Sequence, residues 1–220
     1  MHFGSADTPI ETKPYRPEVK EVRTVKKTEN PMEKYGRFTV ELLPNGERKI
    51  YGGQFVPKEE LSFWSNKKHV ITVNYTTKEL AYYRRGLDGY EPVIGFAVVT
   101  PSPDTLPKDV VRGIVTKIDT MPTWCPTSNI RRVMAHLPLG CLPYGHPLNA
   151  MGEVKFEIKW DVKGWELHRI HGTEGYADNG RFWEIETFGC TRLQNRAIKN
   201  LVELLGPDVE PEDIEVIVYK

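Results

Sequence analysis

The most informative stretch of the chain runs from Ile170 to Leu193 and reads Ile-His-Gly-Thr-Glu-Gly-Tyr-Ala-Asp-Asn-Gly-Arg-Phe-Trp-Glu-Ile-Glu-Thr-Phe-Gly-Cys-Thr-Arg-Leu. A cysteine sulfur is a useful nucleophile only as the thiolate, so a catalytic cysteine needs a nearby base or a positive local field. Here His171 and Cys190 stand on either side of a glycine-rich loop. We therefore predict that they come together in the folded protein as a base and a nucleophile.

The same stretch resembles the catalytic domain of the L,D-transpeptidases. The motif of that family is His-Gly-Thr, a loop, and then Ser/Thr-His-Gly-Cys followed by an arginine or asparagine. This chain has His171-Gly172-Thr173, then Thr187-Phe188-Gly189-Cys190 and Thr191-Arg192, and 19 positions separate the histidine from the cysteine. Phe188 is a departure, because the family usually has a second histidine there, which is not its general base.

The resemblance implies a reaction and assigns roles to four residues. Cys190 would attack a peptidoglycan tetrapeptide stem at the bond that joins an L-centre to a D-residue, and His171 would act as general base and then acid. The Gly172 carbonyl would fix the imidazole tautomer. Because glycine has no Cβ, Gly189 would let its own N–H and that of Cys190 point at the developing oxyanion.

Four further positions are predicted to line the substrate site. Arg192 is placed to hold either the loop or a substrate carboxylate by a bidentate pair, and these two roles are left open. Thr173 and Thr187 are predicted polar supports of the same loop, and Phe188 is expected among the substrate contacts.

The resemblance also implies a cell-envelope location, peptidoglycan stem peptides as partners, and a covalent adduct with a carbapenem. No cofactor is expected. Two alternatives remain: an L,D-carboxypeptidase that uses water as the acceptor, and a non-catalytic envelope-binding module in which Phe188 desolvates the thiol. The oligomeric state is left open.

Composition excludes other classes of function. The 220 residues carry 30 basic and 30 acidic side chains, so no net charge attracts nucleic acid. The sequence contains no apolar run of about 18 residues, so no transmembrane helix is predicted. The first twenty residues lack the apolar core of a secretion signal. His136, Cys141 and His146 are too widely spaced for a typical zinc site, and no metal is predicted.

Because the chain has three cysteines, at least one of them is outside any intramolecular disulfide. Cys125 and Cys141 lie 16 positions apart, and a bridge between them would contribute about 3 kcal/mol in the chain-entropy model. Two separate buried thiols are the alternative that general frequencies favour. In both cases Cys190 is left as the reactive thiol.

The chain is predicted to have three parts. Composition and periodicity predict a flexible arm over residues 1–33 and a hairpin extension over residues 34–66 with a turn at Pro44–Gly46. Because the domain of the L,D-transpeptidases opens with a similar pair of strands, the resemblance implies that residues 67–220 are the catalytic domain. Alternating or β-branched runs predict strands at Val70–Tyr75, Leu80–Tyr83, Pro92–Thr100, Gly113–Ile118, Val154–Trp160, Trp165–His171 and Ile214–Tyr219.

Two further segments complete the predicted fold. A helical stripe from Ala197 to Leu205 ends at Gly206. Between Asp119 and Ala150 the periodicity disappears, which predicts a lid packed over the site through Trp124, Leu139 and Tyr144. The expected fold is mainly β: a mixed β-sandwich or partly closed barrel with one C-terminal-side helix and a long lid loop.

Overall fold

The structure is a computed structural model that describes residues 39–42, 48–51, 56–173, 187 and 189–220. The strands are β1 Thr39–Leu42, β2 Arg48–Tyr51, β3 His69–Asn74, β4 Glu79–Gly86, β5 Gly89–Ala97, β6 Val110–Asp119, β7 Lys155–Trp160, β8 Ile170–His171, β9 Thr191–Arg192 and β10 Ile214–Tyr219. The α-helices are α1 Lys58–Trp64, α2 Ser128–Val133 and α3 Asn195–Leu205. The predicted mainly β fold is confirmed.

Eight strands form one sheet in the order β5-β4-β3-β10-β6-β7-β8-β9. β10 pairs in parallel with β3 and β9 in parallel with β8, while the other neighbours are antiparallel. The sheet curls, because Val99 beyond edge strand β5 and Arg192 in β9 exchange two backbone hydrogen bonds of 3.0 and 2.8 Å. This contact between the two edges gives the partly closed barrel that the sequence predicts.

Helices cover both faces of the centre of the sheet. On one face, Ile198, Leu201 and Leu205 of α3 belong to the main apolar core. On the other face, Leu61 of α1 lies in a second, smaller core. Successive side chains of β10 therefore enter different cores, which explains why this strand is apolar along nearly its whole length.

Most of the predicted strands and α3 are found close to their expected positions, and α3 ends at Gly206. β5 is an edge strand whose first half is exposed, so the predicted Pro92–Thr100 strand is buried only towards its end. β1 and β2 pair as the predicted hairpin. Residues 1–33 and the predicted turn at Pro44–Gly46 lie outside the described residues. Among the described residues, no helix is long and apolar enough to span a bilayer.

The predicted strand Trp165–His171 is wrong over most of its length, because only Ile170 and His171 are in a strand. Trp165 is 5% exposed and Leu167 is 67% exposed, so they do not share a face. The chain turns at Gly164, which has φ +85°. Trp165 then packs edge-on against Trp160, with ring centroids 5.2 Å apart. The alternating sequence that predicted a strand therefore belongs to a turn in which Trp165 packs on Trp160.

Residues 120–154, here called the cap, connect β6 to β7. Cys125 and Cys141 form a disulfide there, so the alternative of two separate thiols is wrong. Backbone hydrogen bonds of 2.8 and 2.7 Å between Trp124 and Leu142 lie beside the bridge. These two residues belong to a small apolar cluster of the cap.

The cap is packed on itself in a way that differs from the prediction. Trp124 is buried as expected, but Leu139 is 92% and Tyr144 45% exposed. The Asn149 amide donates to the carbonyls of Pro122, Leu142 and Pro143, and so ties the two ends of the cap together.

Candidate active site

His171 and Cys190 are carried by neighbouring segments of the sheet. His171 ends β8, and Cys190 directly precedes β9, which pairs with β8 in parallel so that His171 is opposite Arg192. On its other side His171 is opposite Lys155 of β7. The positive charges of Arg192 and Lys155 act on the pKa of both the imidazole and the thiol. The two groups therefore share one electrostatic environment.

The His171 imidazole is held in one tautomer. Its Nδ1 lies 2.6 Å from the Gly172 carbonyl oxygen, which can only accept, so Nδ1 carries the proton and Nε2 has the lone pair. Burial lowers the pKa of His171 to about 4; the Gly172 hydrogen bond opposes this effect, while Arg192 and Lys155 add to it. The ring is thus neutral at pH 7 and able to accept a proton.

Close packing fixes the position of the Gly172 carbonyl. The Gly172 N–H donates to Val154 at the end of the cap, at 2.8 Å. Asn195, the first residue of α3, accepts from the Glu153 N–H at 2.9 Å. A Cβ on Gly172 would lie 2.2 Å from Asn195 Oδ1 and would displace that side chain from its hydrogen bond to Glu153. The end of the cap and the start of α3 together orient the imidazole.

Cys190 is half-buried and is the free cysteine of the described residues. Its thiol donates to the Leu167 carbonyl across 3.8 Å. Burial raises the pKa of the thiol, whereas the Arg169 N–H, the Arg169 charge, Arg192 and Lys155 lower it. In this conformation the sulfur is a protonated thiol that is surrounded by groups able to stabilise the thiolate.

The residues just before Cys190 form a tight bend. Gly189 has φ +135°, which side chains rarely allow, and its N–H donates to Thr187 Oγ1 at 3.3 Å. Thr187 is thus part of the bend that precedes Cys190. In this conformation the Gly189 N–H is used within the bend, and its role towards a substrate oxyanion stays a prediction. Phe188 lies outside the described residues.

The remaining predicted residues differ in their placement. Thr173 is buried directly after the His-Gly pair. The backbone of Arg192 is fixed by its two hydrogen bonds to Val99, and its side chain contributes positive charge to the site. No group of three or more metal-binding side chains occurs among the described residues. Cys141 of the weighed zinc triplet is in the disulfide.

Lys155 was not predicted as a site residue. Its side chain is 13% exposed and pairs with Glu157 at 2.9 Å and with Asp119 at 3.6 Å. Because Asp119 and Lys155 are opposite each other at the ends of β6 and β7, the cap leaves and rejoins the sheet beside His171. The alternation of β7 predicts that Lys155 faces away from the core. Only the sheet order shows that it lies opposite His171.

His168, which was not predicted as a site residue, packs against the bend at Gly189. A Cβ on Gly189 would lie 2.9 Å from His168 Nε2. The ring also stacks on Trp165, with centroids 4.2 Å apart. No sequence signal identifies this contact, because it depends on the turn that replaces the predicted strand.

No protein-family model and no curated protein matches the chain. Among solved structures, Bd1075 of Bdellovibrio bacteriovorus is similar at TM-score 0.43 and 10% identity, over 70% of this chain and 48% of that one. The helical cell shape determining protein Pgp2 of Campylobacter jejuni is similar at TM-score 0.42 and 14% identity, over 72% and 53%.

A fused Zn-dependent amidase/peptidase/peptidoglycan-binding domain-containing protein of Clostridium acetobutylicum is similar at TM-score 0.37 and 12% identity, over 73% and 57%. This chain spans about half the length of these solved structures. Similarity at this level assigns neither a family nor a function to it.

Proposed function

We propose that this protein is a cysteine acyltransferase of the L,D-transpeptidase type that acts on peptidoglycan stem peptides. The observation that carries the proposal is the His171 imidazole, held by the Gly172 carbonyl and buried in a strand that pairs with the segment carrying Cys190. This arrangement, in the order His-Gly-Thr and then Thr-x-Gly-Cys-x-Arg, is what the motif resemblance requires.

The proposed reaction has two halves. His171 Nε2 accepts the thiol proton while Cys190 Sγ bonds to the carbonyl carbon of the bond between the L-centre and the D-residue. That bond breaks, the proton passes from His171 to the leaving amine, and a thioester remains on Cys190. An acceptor amine then takes the acyl group and the thiol is restored; water as the acceptor would make the protein an L,D-carboxypeptidase.

The charges around the sulfur support thiolate formation during attack. The Arg169 N–H and charge, Arg192 and Lys155 all favour the thiolate, and they act against the cost of burial. Arg192 and Lys155 also disfavour a protonated His171, so the proton is readily passed on to the leaving amine. For Arg192 both proposed roles stand, holding the loop and binding a substrate carboxylate.

The cap supports both the proposed location and a covering role. Cys125 and Cys141 are exposed and bridged, and such a bridge persists in oxidising compartments, which agrees with the cell envelope. The cap leaves the sheet at Asp119 and returns at Lys155, next to His171. We propose that it covers the bound stem peptide.

The direct test is incubation with a purified tetrapeptide stem, with and without an acceptor amine, followed by mass analysis of the products. We expect release of the terminal D-amino acid by the wild type and none by Cys190→Ala. A carbapenem should add to the wild type once and not to Cys190→Ala. Equal product or equal adduct in both proteins would contradict the proposal.

A non-catalytic envelope-binding module is the second candidate, and the raised pKa of Cys190 favours it. The rate of Cys190 alkylation as a function of pH separates the two candidates. Thiolate formation below the ordinary value of about 8.5 supports the enzyme. Formation only well above that value, together with stem binding but no turnover, supports the binding module.

A further inference from the structure

A stacked series of rings runs from the core to the bend that precedes Cys190. Tyr75, which is buried, stacks on Trp165 with centroids 6.3 Å apart and planes 20° apart. Trp165 in turn stacks on His168 at 4.2 Å and 9°. Since Trp165 is also packed edge-on against Trp160, the position of the His168 ring is fixed by the core.

The Nε2 edge of the His168 ring meets Gly189. A Cβ on Gly189 would approach His168 Nε2 to 2.9 Å and Cδ2 to 3.1 Å, so the ring occupies the space beside the glycine. The two residues that flank His168 contact the sulfur of Cys190: the Leu167 carbonyl accepts from the thiol and the Arg169 N–H hydrogen-bonds it. One turn of chain thus contacts both Gly189 and Cys190.

We infer that His168 is a positioning residue for the nucleophile. Its ring, stacked on Trp165, holds the Gly189 backbone at its positive φ and so keeps the Cys190 sulfur between the Leu167 carbonyl and the Arg169 N–H. The inference concerns the site of the proposed function, but the contacts that carry it do not depend on the reaction.

Packing, rather than charge, is the basis of this role. The pKa of His168 is lowered by burial, and the Arg169 charge adds to this effect, while a Trp165 backbone contact and Glu166 oppose it. The ring is therefore neutral near pH 7. A phenyl ring at position 168 can stack on Trp165 in the same way, whereas a methyl group cannot.

A double-mutant cycle on thiol reactivity tests the inference without any substrate. The rate of Cys190 alkylation by iodoacetamide is measured at one pH for wild type, Gly189→Ala, His168→Ala and the double variant. The strain of a side chain at φ +135° is present in both Gly189→Ala proteins and cancels. Gly189→Ala changes the alkylation rate by some factor in each background. We expect this factor to be at least about threefold smaller in the His168→Ala background than in the wild type. Equal effects in both backgrounds would overturn the inference.

Two further variants keep the result interpretable if a cycle member unfolds. His168→Phe should alkylate within about twofold of the wild type, because contact energies of this kind come from ring packing. A rate for His168→Phe that equals that of His168→Ala would also overturn the inference. His136→Ala changes an exposed histidine of the cap and should leave the rate unchanged.

The outcome is independent of the stem-peptide assay. Coupling between positions 168 and 189 without turnover would leave the positioning role standing and remove the proposed function. Turnover without coupling would do the reverse.

Discussion

Burial of the neutral His171 imidazole should make the folded protein lose stability in mild acid. The pKa of this histidine is lowered from 6.5 to about 4, chiefly because the buried ring cannot hold a charge without water. Between those two pH values the unfolded chain binds a proton at His171 and the folded protein does not. The free energy of unfolding therefore falls as the pH falls through this window.

The size of the effect follows from proton linkage. With pKa values of 6.5 unfolded and about 4 folded, His171 removes about 2 kcal/mol of stability between pH 7 and pH 5, and about 3 kcal/mol by pH 4. His69 and His168 also have lowered pKa values, so the wild-type slope contains their contributions as well. The difference between wild type and His171→Gln isolates the ring at position 171.

Urea unfolding followed by tryptophan fluorescence at pH 5, 6 and 7 measures this difference. His171→Gln should lose about 2 kcal/mol less than the wild type from pH 7 to pH 5. His136→Gln, at an exposed position of the cap, should keep the wild-type slope. Parallel slopes for wild type and His171→Gln would mean that His171 titrates as a solvated imidazole, and the argument for a buried neutral base would fail.

Three further predictions concern the surroundings of the site. Lys155→Met should shift the pH dependence of Cys190 alkylation to higher pH, because it removes a cation that lowers the thiol pKa. Lys155→Arg keeps the charge and should not shift it. Identical curves for the wild type and both variants would contradict this. Gly152→Ala should cost about 2–4 kcal/mol in urea unfolding, since its Cβ would lie 2.4 Å from the Gly172 carbonyl carbon; a loss below about 0.5 kcal/mol would refute the packing argument. Cys141→Ser should remove the about 3 kcal/mol of stability that the bridge contributes and should speed proteolysis of the cap. An unchanged cleavage rate would show that the bridge does not hold the cap.

Most of the elements that were predicted correctly have a strong local pattern, either a period or a run of β-branched residues. β7 alternates strictly between apolar and charged residues, and α3 has an apolar stripe that ends at a glycine, so each could be assigned from local sequence. α1 was not predicted, because Lys58–Trp64 is short and, among residues 59–64, Leu61 alone is fully buried. Its position depends on the second core, which exists only once the sheet has formed.

The sequence motif indicates the candidate site residues but not the residues that surround them. The Gly172 contact of His171 follows from neighbouring residues and was expected. Lys155 lies at the site because β7 pairs with β8, and His168 because the chain turns before it. Neither placement can be recognised from the local sequence. The Cys125–Cys141 bridge has the same cause, since the two ends meet through the pairing of residues beside them.

The position of β10 has a consequence for how the protein is made. Within the described sheet, this strand is the link between the β3 side and the β6 side, and its partner Ile71 in β3 is separated from Val216 by most of the domain. A nascent chain that has already emerged with its histidine and cysteine segments therefore cannot complete the sheet until Ile214–Tyr219 has also left the ribosome. Until then the edges of β3 and β6 that pair with β10 are open, and unpaired strand edges of this kind make a folding intermediate prone to aggregate.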